Sequence, residues 1–284
     1  MTESKTALEN LETAISVARI CDAHLTVLNV SEVPQLPFYG YGGQGYIEVW
    51  AKECDQRRVD LTSVTDRLQA RLAAEDISFD IRPCLASTER EDDVVARHAI
   101  YCDLALMLRS GERELTSIER NAIDGALFDS GRAVVYVPRA FKANAFGERV
   151  AIAWNARREA ARAVSDAIPF LARAGEVDIF VVDPEVGNED HGEEPGSDIA
   201  LVLSRHGLKV TIHNIASAGR PVSEALLDTA RELDIDLLVM GGLWPFQAAA
   251  EHSWRHDTGN AGKQQYSASP FALTRIKAAR ALRE

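Results

Sequence analysis

The sequence lacks most features that commit a chain to one chemistry. It has no G-x-S-x-G nucleophile elbow, no H-E-x-x-H zinc motif and no complete P-loop, so no motif signals an enzyme class. His98, His206 and His213 fall within helix or strand patterns and have no evident nucleophile partner. Cysteine is scarce: Cys21, Cys54, Cys84 and Cys102 lie in the first half, none in a CxxC pair. This argues for reduced, partly buried thiols rather than a disulfide framework or a zinc site. No run approaches the roughly 18 apolar residues of a membrane span. The opening Met1-Thr-Glu-Ser-Lys-Thr lacks a signal peptide's apolar core, so a cytoplasmic location is expected. Basic residues are the minority, 31 against 43 acidic ones, for a formal net charge of −12. That balance disfavours nucleic acid and anionic membranes as partners. A nucleotide remains open, because backbone N–H groups alone can hold phosphate.

What is present is alternation. A chain of 284 residues suits two domains of about 140 each. Arg149 to Asp183 is the clearest unit. Val150-Ala-Ile-Ala-Trp reads as a buried strand. Arg158 to Arg173 reads as a helix, with Ala160, Val164, Ala167, Ile168 and Leu171 on one face. Val177 to Val182 is a second strand, so the segment is a βαβ unit with an expected right-handed crossover.

The same vocabulary describes the rest. In the first half, helices are expected at Leu8 to Ile20, Ile47 to Ala74, Arg90 to Tyr101 and Ser117 to Phe128. Strands are expected at His24 to Val30, Ile77 to Cys84, Asp103 to Leu108 and Ala133 to Val137. In the long second helix Val59, Leu61, Val64, Leu68 and Leu72 form the apolar set. In the second half, helices at Pro195 to His206 and Pro221 to Leu233 alternate with strands at Leu208 to His213 and Ile235 to Met240. Such alternation indicates parallel sheet covered on both faces. Two loops stand out. Glu32 to Gly45 is glycine-rich, with Tyr39, Tyr41 and Tyr46 interleaved, and suits a lid or partner contact. Asp183 to Glu194 is acidic but lacks calcium-loop spacing.

The halves read as a duplication. Arg97-His-Ala-Ile-Tyr-Cys-Asp-Leu-Ala-Leu-Met-Leu parallels Ala230-Arg-Glu-Leu-Asp-Ile-Asp-Leu-Leu-Val-Met: a helix ends, an aspartate opens a strand, and the strand is apolar. Together with His24-Leu-Thr-Val-Leu-Asn-Val, Phe128-Asp-Ser-Gly-Arg-Ala-Val-Val-Tyr-Val-Pro, Arg158-Glu-Ala-Ala-Arg-Ala-Val and Asp236-Leu-Leu-Val-Met-Gly, this order resembles a tandem universal stress protein over residues 7 to 242. The resemblance implies an α/β fold of two tandem Rossmann-like, adenine-nucleotide α-hydrolase-like domains, each a parallel sheet with helices on both faces. It divides the chain into a first domain at 1–140, a linker at 141–148, a second domain at 149–242 and an aberrant tail at 243–284.

Some members of that family bind ATP, through an aspartate at the tip of the first strand and a glycine-rich phosphate segment after the fourth. Glycines there let N–H groups approach phosphate oxygens at a helix N-terminus. The first half departs from this pattern. Its opening strand is missing, for which a late start codon would account, and Arg109-Ser-Gly-Glu-Arg-Glu follows its fourth strand without paired glycines. In the second half Asn155 stands where the aspartate is expected, and Gly241-Gly242 begin the phosphate segment before the pattern breaks at Leu243. Phe271 to Arg283 reads as a helix. Leu243-Trp-Pro-Phe-Gln-Ala is encodable by codons that, read one base later, give Tyr-Gly-His-Ser-Arg-Leu, and the following residues continue the family pattern in that frame. A frameshifted tail is therefore compatible with the sequence. Without a closing strand the second sheet would need one from the tail or a partner.

The implied function is a cytoplasmic stress-response protein with vestigial or weak ATP binding in the second domain. The candidate nucleotide contacts are Ala153, Trp154, Asn155, Asp183, Gly241 and Gly242, at strand carboxyl ends where such sheets bind ligands. ATP is the candidate cofactor, and self-association through tandem domains or a homodimer is expected. The alternative is a structural or interaction protein of the same fold that binds no nucleotide. No metal site and no catalytic residue is assigned.

Overall fold

The computed structural model describes residues 2–33, 43–87, 91–108, 117–137, 146–184, 194–241 and 271–273. Helices and strands alternate as the apolar periodicity predicts. The order is α1 (Thr2–Cys21), β1 (Leu25–Glu32), α2 (Gly43–Leu72), β2 (Phe79–Ala86), α3 (Glu91–Ala99), β3 (Leu104–Leu108) and α4 (Ser117–Asp124), which runs on into a π turn over Gly125–Asp129. There follow β4 (Ala133–Val137), β5 (Arg149–Ala153), α5 (Arg158–Leu171), β6 (Glu176–Val182), α6 (Ser197–Arg205), β7 (Val210–Ile215), α7 (Val222–Glu232), β8 (Leu237–Met240) and β9 (Phe271–Leu273). No helix among the described residues is long and apolar enough to cross a membrane.

The chain divides into two compact units, residues 1–102 with 109–131, and residues 103–108 with 132–284. In the first unit β1 and β2 form a two-stranded parallel sheet. Leu11 and Ile15 of α1 and Leu68 and Leu72 of α2 are buried against Leu25, Val27, Phe79 and Ile81 on one sheet face. Burying a side chain of this kind is worth about 1.5–3 kcal/mol, so this small cluster holds both helices to the sheet. Arg71 ties the same two helices together through a fork onto Glu12, at 2.6 and 2.8 Å. The apolar set of α2 is narrower than its periodicity predicts: Val59 is 62% exposed. Val59 stands two residues, about 200° of helix rotation, from buried Leu61, so it lies on the opposite face.

The second unit holds a seven-stranded sheet in the order β3-β4-β9-β8-β5-β6-β7. Every pair among the second-half strands β8, β5, β6 and β7 is parallel. Strands β5, β6 and β8 are apolar on both faces and almost wholly buried, as a sheet covered by helices on both sides requires. Ala151, Ala153, Phe180, Leu238 and Met240 face α7, where Leu226 and Ala230 complete the cluster. Ile179 and Val181 point the other way, and a side chain at Gly196, just before α6, would meet both.

Two expectations are corrected here. Phe271–Leu273 is strand rather than helix, pairing parallel with β8 and antiparallel with β4. Three residues that fill hydrogen bonds on two edges gain more from the sheet than from one isolated helical turn. The second sheet thus takes its closing strand from the tail, and the sheet is mixed rather than purely parallel. The rest of the tail, with the frameshift reading, and the Gly/Tyr loop between residues 34 and 42 lie outside the described residues.

Candidate functional site

The parallel order β8-β5-β6 brings three carboxyl ends side by side. Ala153 closes β5 and is buried at 3% exposure. The Trp154 N–H donates to the Phe180 carbonyl at 2.8 Å, extending the β5–β6 ladder by one bond. Asn155 then turns the chain: its side-chain oxygen accepts from the Arg157 N–H at 3.2 Å. Ala156 follows in the left-handed region at φ 57°, and α5 starts at Arg158. Asn155 therefore makes the local turn that asparagine favours at such positions.

Asp183, one residue past β6, also has a left-handed backbone, φ 47°. Its carboxylate accepts from the Ser217 N–H at 2.9 Å, in the loop after β7. The Ser217 hydroxyl and then its N–H hold the Asp183 carboxyl below the usual range. Ser217 is itself buried at 8% exposure. It is a member of this loop cluster that sequence reasoning missed, although Ser217-Ala-Gly-Arg-Pro is a legible turn.

Gly241, after β8, is the most constrained position. A Cβ there would lie 2.7 Å from the Ala160 nitrogen and 2.8 Å from the Glu159 carbonyl carbon. The end of β8 is pressed against the first turn of α5, and only glycine allows it. Gly242 lies outside the described residues. Among the predicted contacts, then, Ala153, Trp154, Asn155, Asp183 and Gly241 gather at one end of the sheet. Asn155 Oδ1 is taken up by its own turn, and Asp183 Oδ1 by the Ser217 N–H of the loop after β7.

Polar clusters elsewhere were not read from the sequence. His213 on β7 meets Asp178 on β6 at 2.7 Å, and the Phe180 ring lies edge-on to the imidazole at 5.6 Å. In the first unit Asp80 on β2 accepts from Thr26 and from Arg82 at 2.8 Å, and lies 3.0 Å from His24 Nε2. His24 Nδ1 lies 2.6 Å from the Ser78 hydroxyl. Desolvation acts to raise the Asp80 pKa, but the bonds from Thr26, Arg82 and His24 outweigh it and bring it down to about 2. Serine, histidine and carboxylate are the parts of a nucleophile relay. Here the carboxylate is shared three ways and the His24 side chain is 50% exposed, so the cluster acts as a clasp across β1 and β2. A shallow cavity of about 470 Å³ lined by Glu32, Glu53, Gln56, Arg57 and Asp60 is too acidic to attract phosphate. Among the described residues no cluster of three or more metal-binding side chains occurs, and none of Cys21, Cys54, Cys84 and Cys102 is in a disulfide.

Parallel sheet with helices on both faces defines a Rossmannoid α/β fold. The fold is that of universal stress proteins. The chain superposes on a universal stress protein from Archaeoglobus fulgidus DSM 4304 with a TM-score of 0.58 and 15% identity, over 95% of this chain and 92% of the other. A putative universal stress protein from Pseudomonas aeruginosa UCBPP-PA14 aligns at 15% identity with a TM-score of 0.42, over 76% of this chain and 81% of the other. No protein-family profile matches the sequence, and no curated protein matches it.

Proposed function

We propose that the chain is a universal-stress-type protein of two tandem domains, acting in the stress response in the cytoplasm. Its second domain carries a vestigial, weak adenine-nucleotide site at the carboxyl ends of β5, β6 and β8, formed by Ala153, Trp154, Asn155, Asp183, Gly241 and Gly242. The observation that carries this reading is Gly241. Its side-chain-free contact with Glu159 and Ala160 keeps the strand end against the first turn of α5. Backbone N–H groups and the helix dipole at such a junction favour phosphate. Weakness follows from the other members. Asn155 carries no charge and is engaged in its own turn, and Asp183 is held by the Ser217 N–H of the loop after β7.

Calorimetric titration of the full chain with ATP and ADP tests the reading. The expected Kd is in the millimolar range, about 4 kcal/mol of binding free energy. Gly241→Val should abolish it while Asp80→Asn, in the other unit, leaves it unchanged. Absence of binding by both nucleotides would leave the second reading, an interaction protein of the same fold. That alternative draws on the single apolar side chains that α2 leaves in water, Ile47 and Val49 at 55% exposed and Val59 at 62%.

A further inference from the structure

Among the described residues β1 pairs with β2 and with no other strand. The hydrogen bonds show which groups face which way. The Leu25 N–H donates to the Ser78 carbonyl at 2.9 Å and the Val33 N–H donates to the Ala86 carbonyl at 2.8 Å, so the odd-numbered residues of β1 point toward β2. In a parallel strand successive residues alternate. The N–H and C=O groups of Thr26, Leu28 and Val30 therefore face the opposite edge.

The second half of the chain shows what such an edge takes. There the Val177 N–H donates to the Lys209 carbonyl, as Leu25 does to Ser78, which sets β6 in register with β1 and Phe180 in register with Leu28. The even-numbered edge of β6 is occupied by β5, and the Phe180 carbonyl accepts from Trp154. β5 is a parallel five-residue strand, Arg-Val-Ala-Ile-Ala, buried along four of its five positions. With that neighbour, Val177 to Val181 are buried; without one, Leu25 to Ser31 are only half-buried.

The outer edges differ in the same sense. The β2 residues whose carbonyls serve β1 are even-numbered, so the odd-numbered ones face outward, and exposed Pro83 is among them. Proline has no N–H to offer, which is how a natural sheet edge is closed to further pairing. β1 has no proline, and its one charge is Glu32 at the end. Leu25, Val27, Leu28 and Val30 give it apolar side chains on both faces.

We propose that the free edge of β1 is a strand-acceptor site. Its ligand is a short apolar peptide segment with the chemistry of Arg149–Ala153, extended and parallel to β1, hydrogen-bonded to Thr26, Leu28 and Val30. A second copy docking through the same edge would run antiparallel, because a two-fold axis reverses the strand; the β5–β6 pairing is parallel.

The test uses the full chain and a fluorescein-labelled peptide with the sequence of residues 148–155. Saturable anisotropy, with slowed amide exchange at Thr26, Leu28 and Val30 and little change at Leu25, Val27 and Asn29, is the expected result. The same peptide carrying Ile152→Pro should fail to bind. No saturation by about 1 mM peptide, equal binding of the proline peptide, or protection appearing only along β6 and β8 would overturn the proposal. So would a free chain that sediments as a dimer with Thr26, Leu28 and Val30 already protected, since the occupant would then be a second copy.

Discussion

β1 and β6 follow equivalent helices, and each pairs in parallel with the strand that comes next, yet they sit in different surroundings. β6 has β5 and β7 on its two edges and a helix against each face; among the described residues β1 has β2 alone. Phe180 is fully buried, whereas Leu28 in register with it is not. The contrast teaches that a strand's burial is a property of its neighbours. The strands are of similar length, eight and seven residues, and each carries apolar side chains interrupted by polar ones. What separates them is the presence of a partner along the second edge.

The largest expected effect tests that contrast directly. Phe180→Ala should cost about 3–5 kcal/mol, read from the midpoint of urea unfolding. Leu28→Ala should cost well under half of that, about 1–2 kcal/mol, because much of its surface is already in water. Equal losses would erase the distinction between the strands.

Next come two positions special to the second unit. Gly241→Ala forces a Cβ into the α5 backbone and should destabilise by about 1–3 kcal/mol, with the loss seen in amide exchange of β8 and α5. Asp236→Ala should cost about 1–3 kcal/mol. Its carboxylate accepts from the N–H groups of Gly147, Glu148 and Arg149 at 2.8, 2.9 and 3.0 Å, fixing the start of β5. A variant with unchanged β5 exchange would show that this clasp is dispensable.

The smallest effect is a difference in acid response. The folded pKa of Asp80 is depressed to about 2 from its ordinary value of 3.8. Its stabilisation is therefore present above about pH 4 and is lost as pH falls toward 2. Desolvation pushes Asp236 the other way, above its ordinary value, against the pull of the three backbone N–H groups. Its contribution is favourable at low pH and is lost as pH rises through the raised pKa. Amide exchange followed from pH 6 to pH 3 should thus weaken β1–β2 only below about pH 4. Asp236→Asn should remove the opposite trend from β5. Parallel responses in the two strands would contradict these assignments.

Much of the fold was legible. The apolar face of α5 is there in the spacing of Ala160, Val164, Ala167 and Leu171, and Gly175 marks the return to β6, because helix and strand periods are local. The candidate site was partly legible. The ends of β5, β6 and β8 could be located, since Asn155, Asp183 and Gly241 follow apolar runs. That Asp183 would be tied to Ser217 could not be read, because the two are joined only through the β6–β7 register. Phe271–Leu273 was misread as helical since Phe-Ala-Leu favours no one structure by itself; two waiting strand edges decided it.

By itself the sequence determined the order of elements, the doubly covered sheet and the acidic, motif-poor character that leaves no enzyme signalled. Those follow from composition and from contacts a few residues apart. Tertiary structure alone decided that β9 bridges β8 and β4, that Asp178 meets His213, and that Thr26, Leu28 and Val30 line an edge unpaired among the described residues. Each depends on register between segments distant along the chain, where a shift of one residue turns every side chain and every N–H to the other side.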